Sequence, residues 1–303
     1  MPLNQGWVYR DRITPKTAGQ TALDYYTHRY SHSSCEEWRN RFDAGQMRHQ
    51  GEPIAPDTWL KSGWQLEYHR PPWSEPEVPL TIETLYDDAD LLVVAKPAGL
   101  PVLPGGGFVQ HTLLHQLQQQ YPGIAPVHRL GRGTSGVILL ARSPQTRAAL
   151  SAQFRHQQIQ KVYRALVGPI EPDMPDTVEL AYAIGKCPHL HLGYLYSATP
   201  KGQAAWSRAT ILDRRHDSTL LDVAIRTGRP HQIRIHLAAW GYPLLGDPLY
   251  TVGGVANPSN PHATPGDCGY WLHAHRVQFQ HPSTGKVIRV EAAAPPCLLR
   301  LES

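Results

Sequence analysis

The sequence predicts an α+β protein whose larger part is a mixed, largely antiparallel β-sheet, preceded by a small N-terminal α/β unit. Three observations carry this. Short alternating or apolar runs bounded by Gly, Pro and Asn recur beyond residue 80 and outnumber helical patterns, as in strand-rich α+β folds. The proline-rich stretch from Arg70 to Pro79 cannot continue a helix or an inner strand and reads as a stiff linker between residues 1–75 and 76–303. Val127 through Ala141 passes from a polar, Gly-rich loop straight into an apolar run, as a site loop beside a buried strand does.

With 303 residues the chain has room for one large core and a small accessory unit. No apolar run approaches the length of a membrane span, and the start lacks the charged-then-apolar pattern of a secretory leader. Cys35, Cys187, Cys268 and Cys297 show no CxxC pairing, so neither a disulfide framework nor a four-thiolate zinc site is expected. A soluble, cytoplasmic protein fits. The net charge of +4 permits a polyanionic partner without requiring one. Nothing in the composition sets the oligomeric state.

In the first unit, Ala22 to Tyr30 has amphipathic helical spacing, and Cys35 to Phe42 reads as a second helix capped by Ser33 or Ser34, with Arg39 and Arg41 near its end. Gly45 to Ile54 reads as two strands turning at Gly51, and Leu60 to Tyr68 as another strand. The larger unit opens with a strand, an acidic turn at Asp87–Asp90, a buried strand and a Pro/Gly turn, Lys96 to Gly99. Pro104 to Gly107 lacks the Gly-Lys-Ser/Thr of a phosphate loop and reads as a mobile loop. Thr112 to Tyr121 is a helix, as is Ser143 to Phe154, with Ser143 as cap and Pro144 in the first turn. Strands follow at Lys161–Gly168, Ala204–Leu212 and Ser218–Ile225. Ala263 to Asp267 ends a loop read as a surface excursion.

Thr227 to Gly241 carries Arg229, His231, Arg234 and His236 into a helix start with few neutralising acids nearby, a poor fit to a merely solvated face. Two histidine pairs, His189/His191 after Cys187 and His273/His275, stand at a strand's period of two. Seventeen histidines make such pairs common, so no metal site is assigned.

Four blocks together resemble the RluA-type pseudouridine synthases: Leu91–Val102 with its Lys-Pro-Ala-Gly, His128–Gly136, Lys161–Ala165, and Thr227–His236 with its Thr-Gly-Arg-Pro-His-Gln-Ile-Arg. Leu245–Asp247 with Tyr250, and Leu272–Ala274, are also similar. The first unit resembles the S4 RNA-binding domain. The resemblance implies an enzyme that flips a uridine out of RNA, ribosomal or transfer, detaches the base, rotates it and rejoins it through carbon 5, with no cofactor. It makes Tyr163 the ring on which the base stacks and Arg229 the cation that holds a carboxylate. Arg129 and Arg132 then lie near the RNA backbone. His128, Thr134, His231, Gln232 and Arg234 shape the RNA and base pocket.

At the place of the family's catalytic aspartate stands Gly131, which offers no side-chain nucleophile or base. Three readings stay open. Another carboxylate enters the pocket, Asp247 being nearest by motif; or the chain is a non-catalytic RNA-binding protein with an inactivated pocket; or the glycine form is a working variant, similar to glycine-containing forms among plant and other members named as synthases.

Overall fold

The computed structural model describes residues 3–30 and 32–301; Met1, Pro2, Ser31, Glu302 and Ser303 lie outside the described residues. The chain divides into two compact units, Met1–Glu75 and Pro76–Ser303.

The first unit comprises β1 (Trp7–Arg12), α1 (Ala22–Arg29), α2 (Cys35–Asp43), β2 (Met47–His49), β3 (Glu52–Pro53) and β4 (Gln65–Arg70). Its antiparallel sheet has the order β1-β4-β2-β3. Thr21 caps α1, and Ser34, not Ser33, caps α2 in a reciprocal capping box with Glu37. The aromatic faces of both helices, Tyr26, Trp38 and Phe42, close over Met47 and Leu66 of the sheet. One strand here was not expected, and one expected strand starts later. β1 has no clean alternation to reveal it and exists through its pairing with β4. The strand expected from Leu60 starts only at Gln65, because the chain first turns at Gly63, whose φ of 89° favours glycine.

The second unit runs β5 (Glu83–Asp87), β6 (Leu91–Lys96), α3 (Leu113–Gln120), β7 (Ala125–Pro126), β8 (Ser135–Ala141), α4 (Pro144–Arg155), β9 (Gln160–Val167), β10 (Thr177–Leu180), β11 (Ile184–His189), β12 (Gly193–Ala198), β13 (Ser207–Arg214), β14 (Thr219–Ile225), α5 (Gln232–Trp240), β15 (Tyr250–Thr251), β16 (Val255–Ala256), β17 (Leu272–Gln280) and β18 (Val287–Glu291). One large sheet follows the order β10-β13-β14-β9-β17-β8-β6-β5, with β18 on β17 and β7 on β8. Its described pairings are antiparallel except β8 with β17. No helix among the described residues is long and apolar enough to cross a membrane.

The unbroken apolar runs of β6 and β8 follow from burial on both faces. Leu92, Val94, Ile138 and Leu140 pack with Leu113 and Leu117 of α3 on one side. Leu91, Val93, Val137 and Leu139 pack with Leu150 of α4 and Phe279 of β17 on the other. Where β8 crosses β17, Gly136 has φ 106°, and a Cβ there would lie 2.2 Å from the Ala274 carbonyl oxygen. Only glycine permits that approach, which sets the start of β8 against the middle of the sheet.

The loop after β6 closes on itself, with residues 103–106 exposed. Gly105 and Phe108 exchange backbone hydrogen bonds, and Phe108 and Val109 are buried.

Candidate active site

Three segments that are distant in sequence meet at the sheet's centre. The loop before β8 brings Arg129, Gly131 and Thr134; β9 brings Tyr163; the turn into α5 brings Arg229, His231, Gln232 and Arg234. With Tyr270 and Leu272 they line an open cleft with a cavity volume of about 150 Å³. His128 and Arg132 do not line it.

The loop before β8 is held from behind. Lys96 is buried, and its Nζ donates to the carbonyls of Pro97 and Leu100, both at 2.8 Å, and of Arg132 at 3.2 Å. Gly99 N–H also donates to the Arg132 carbonyl at 2.8 Å. The Lys-Pro-Ala-Gly turn therefore fixes the loop's backbone. His128 packs its ring on Phe154 and accepts the Leu139 N–H at Nε2; burial lowers its pKa to about 3, so it is neutral. The Arg132 Nε donates to the Gly266 carbonyl at 2.7 Å. Both side chains brace the loop, and Arg129 projects from it, exposed.

The turn into α5 is also internally bonded. Gln232 Oε1 accepts from Thr227 Oγ1 at 2.7 Å and from the Arg229 N–H at 3.0 Å, while its Nε2 donates to the Trp206 carbonyl and to Ser207 Oγ. His231 sits at φ 55°, a left-handed conformation that costs a non-glycine residue energy and persists because its surroundings enforce it. The Tyr250 hydroxyl donates to the Tyr196 carbonyl at 2.7 Å, so His231 Nδ1, 2.8 Å away, is the donor to Tyr250. Burial, with Arg234 nearby, lowers the His231 pKa to about 4. The neutral ring then keeps Nε2 as an acceptor.

Arg234 and Asp247 form a bidentate pair, Nε to Oδ2 at 2.7 Å and Nη2 to Oδ1 at 2.6 Å. The side chains are 3% and 1% exposed. Asp247 Oδ1 also accepts the N–H groups of Leu249 and Tyr250. Asp247 is thus consumed by structure, and the expectation that it enters the pocket in place of an aspartate at 131 is corrected. Its partner Arg234 is likewise not free to meet RNA. His236 is buried, with Nε2 2.9 Å from the Tyr182 carbonyl.

Arg229 differs. Its Nε donates to the Ala204 carbonyl at 3.1 Å, and no carboxylate among the described residues pairs with it. Tyr163 stands between the two cores that flank the cleft; burial pushes its pKa up to about 12, so the phenol keeps its proton. No Asp or Glu among the described residues lines the cleft.

The sequence reading did not single out Tyr270. Its ring lies across the glycines of the loop. A Cβ on Gly131 would lie 2.9 Å from the Tyr270 hydroxyl oxygen, and one on Gly133 would lie 3.0 Å from the ring. The hydroxyl is 3.2 Å from Thr134 Oγ1, and the Arg234 guanidinium carbon is 4.2 Å from the ring centroid. Neither glycine has a positive φ, so their missing side chains reflect the space Tyr270 takes. The loop's two bare glycines were the visible sign.

The paired histidines do not form ligand sets. His191 falls in the turn beyond β11, and His189 Nδ1 accepts backbone N–H groups. His273 and His275 both turn toward the Ala292 carbonyl. Asp88, Asp90 and His281 do converge elsewhere, where Asp88 accepts the N–H groups of the β5–β6 turn and the Tyr86 hydroxyl.

A family model described as RNA pseudouridylate synthase matches residues 90–239. An uncharacterised RNA pseudouridine synthase of Synechocystis is 50% identical over 283 residues, covering 92% of this chain and 96% of its own. The ribosomal large subunit pseudouridine synthase D of Neisseria meningitidis is 30% identical, covering 90% and 75%. Among solved structures, human RNA pseudouridylate synthase domain containing 1 superposes with a TM-score of 0.57 at 21% identity, over 74% of this chain and 89% of that one; at that identity the likeness is one of fold.

Proposed function

Because this chain belongs to the RluA-type family of RNA pseudouridine synthases, we propose that it isomerises uridine to pseudouridine in ribosomal RNA of the large subunit. The observation that carries the reading is the meeting of Tyr163, Arg129 and Arg229 in one cleft, on segments that match the family's blocks. A flipped uracil stacks on the Tyr163 ring. Arg129 and Arg229, which have no acidic partner among the described residues, take the flanking phosphates. The free Nε2 of neutral His231 accepts a hydrogen bond from the base's N3–H, which tells uracil from cytosine. Ribosomal RNA is chosen over transfer RNA on the name of the Neisseria relative. The first unit acts as an S4-like RNA-binding module, its two helices set on a small sheet and Arg39 exposed midway along α2. The work takes place in the cytoplasm.

The reading of an inactivated RNA binder is weaker. Family resemblance to a named synthase runs through 92% of the chain, and the cleft keeps neutral phenols and two cations ready for proton and phosphate chemistry. Mapping pseudouridine in ribosomal and transfer RNA from cells with and without the protein tests both. Loss of one or more large-subunit positions is expected. Loss confined to transfer RNA overturns the target, and unchanged maps together with no carbon-5 tritium release in vitro overturn the activity.

A further inference from the structure

No carboxylate among the described residues lines the cleft, yet a phenolic oxygen stands where a side chain at residue 131 would reach. We propose that Tyr270 is a catalytic residue of this chain, its hydroxyl carrying the proton of the isomerisation from the place that a side chain at position 131 would occupy. The inference rests on the synthase reading above and adds a residue to it.

Four observations support it. The Tyr270 hydroxyl oxygen is 2.9 Å from where a Gly131 Cβ would be, so glycine at 131 and tyrosine at 270 are a matched pair in size. Gly133 makes room for the ring in the same way. The ring is clamped between that loop and Arg234, itself locked by Asp247, so the hydroxyl is aimed rather than mobile. Thr134 Oγ1 at 3.2 Å gives it a protic neighbour.

The balance is complete within uridine and Tyr270. As the C1′–N1 bond breaks, its electron pair goes to N1, which takes the Tyr270 proton and leaves as neutral uracil. The ribosyl cation then faces the phenolate, with Arg129 and Arg229 lining the same cleft. After the base turns, the C5–C6 π pair forms the bond from C5 to C1′. The C5 hydrogen leaves as a proton to the phenolate, restoring the hydroxyl, and N1 keeps the first proton. No further reactant is consumed.

The experiment compares wild type, Tyr270→Phe, Gly131→Ala and the double variant on large-subunit ribosomal RNA carrying carbon-5 tritium. Phenylalanine keeps the ring and removes only the hydroxyl, and thermal unfolding checks that it folds. Expected for Tyr270→Phe is a fall in kcat of about 10²- to 10⁴-fold, the range of one general acid–base group, with KM for RNA within threefold (~0.7 kcal/mol). Label release and product formation fall together. Gly131→Ala displaces the hydroxyl and lowers kcat in the wild type but adds little to Tyr270→Phe. A Tyr270→Phe enzyme within threefold of wild-type kcat, or a change confined to KM, overturns the proposal while leaving the synthase reading intact. A wild type that releases no label and makes no product overturns both.

Discussion

The two arginines that one short segment delivers to the cleft are held in opposite ways. Arg234, on the first turn of α5, is sealed into a bidentate pair with Asp247 and stacked on Tyr270. Arg229, in the turn just before, has one bond to a backbone carbonyl and no acidic partner among the described residues. A buried cation without its carboxylate is costly, whereas a half-open one retains water until a ligand replaces it. The contrast separates the two jobs of a site: the saturated network keeps the cleft's shape, and the unsaturated group is left for the substrate.

Breaking the saturated side has the largest expected effect. Asp247→Ala leaves the Arg234 charge buried and unpaired, and the backbone N–H groups of Leu249 and Tyr250 lose an acceptor. A loss of about 3–5 kcal/mol is expected, measured by urea unfolding at constant m-value. Asp247→Asn keeps most of the shape and returns part of the loss. A cost below ~1 kcal/mol would show that water reaches Arg234 and that the contrast with Arg229 is one of degree.

Much of this was legible in sequence where the governing interactions are local. Ser143 and Pro144 announce α4, and the runs at Leu91–Lys96 and Ser135–Ala141 announce buried strands. The motif segments placed Tyr163, Arg229 and His231 in one region, and they meet there. What could not be read is non-local pairing. Nothing around Asp247 says it belongs to Arg234. Nothing around Gly131 says that Tyr270 fills its space, and Lys96 looks like part of a turn rather than the anchor of another loop. His128 and Gln232 look like binding groups by the family resemblance, and their described hydrogen bonds go to the protein's own backbone and hydroxyls.

A second test probes the neutral imidazole that holds β17 to β8. His273 is 2% exposed, with Nδ1 2.8 Å from Ser135 Oγ, and burial lowers its pKa to about 4. Its unfolded value is near 6.5. Between these values the unfolded chain binds the extra proton, so stability is fully present above pH 6.5 and falls as pH drops toward 4. The contribution is about 3 kcal/mol over that window. Unfolding titrations should show the drop, and His273→Gln should flatten it. An unchanged slope would place the acid sensitivity in other buried histidines, His128 first and then His231.

The smallest effect on the fold is expected on the unsaturated side, and it separates the roles most sharply. Arg229→Ala removes one hydrogen bond to the Ala204 carbonyl and no ion pair, so stability should move by no more than about 0.5 kcal/mol. RNA binding should weaken on the order of tenfold, the worth of one charge-assisted contact of ~1.5 kcal/mol. The dependence of log affinity on log salt should fall by about 0.7–1, one phosphate's share. Arg229→Lys keeps the charge but loses the planar fork, and so should restore the salt slope while recovering only part of the affinity. If Arg229→Ala instead destabilises the fold as Asp247→Ala does, Arg229 is a structural cation like Arg234, and the phosphate contact must come from Arg129 alone.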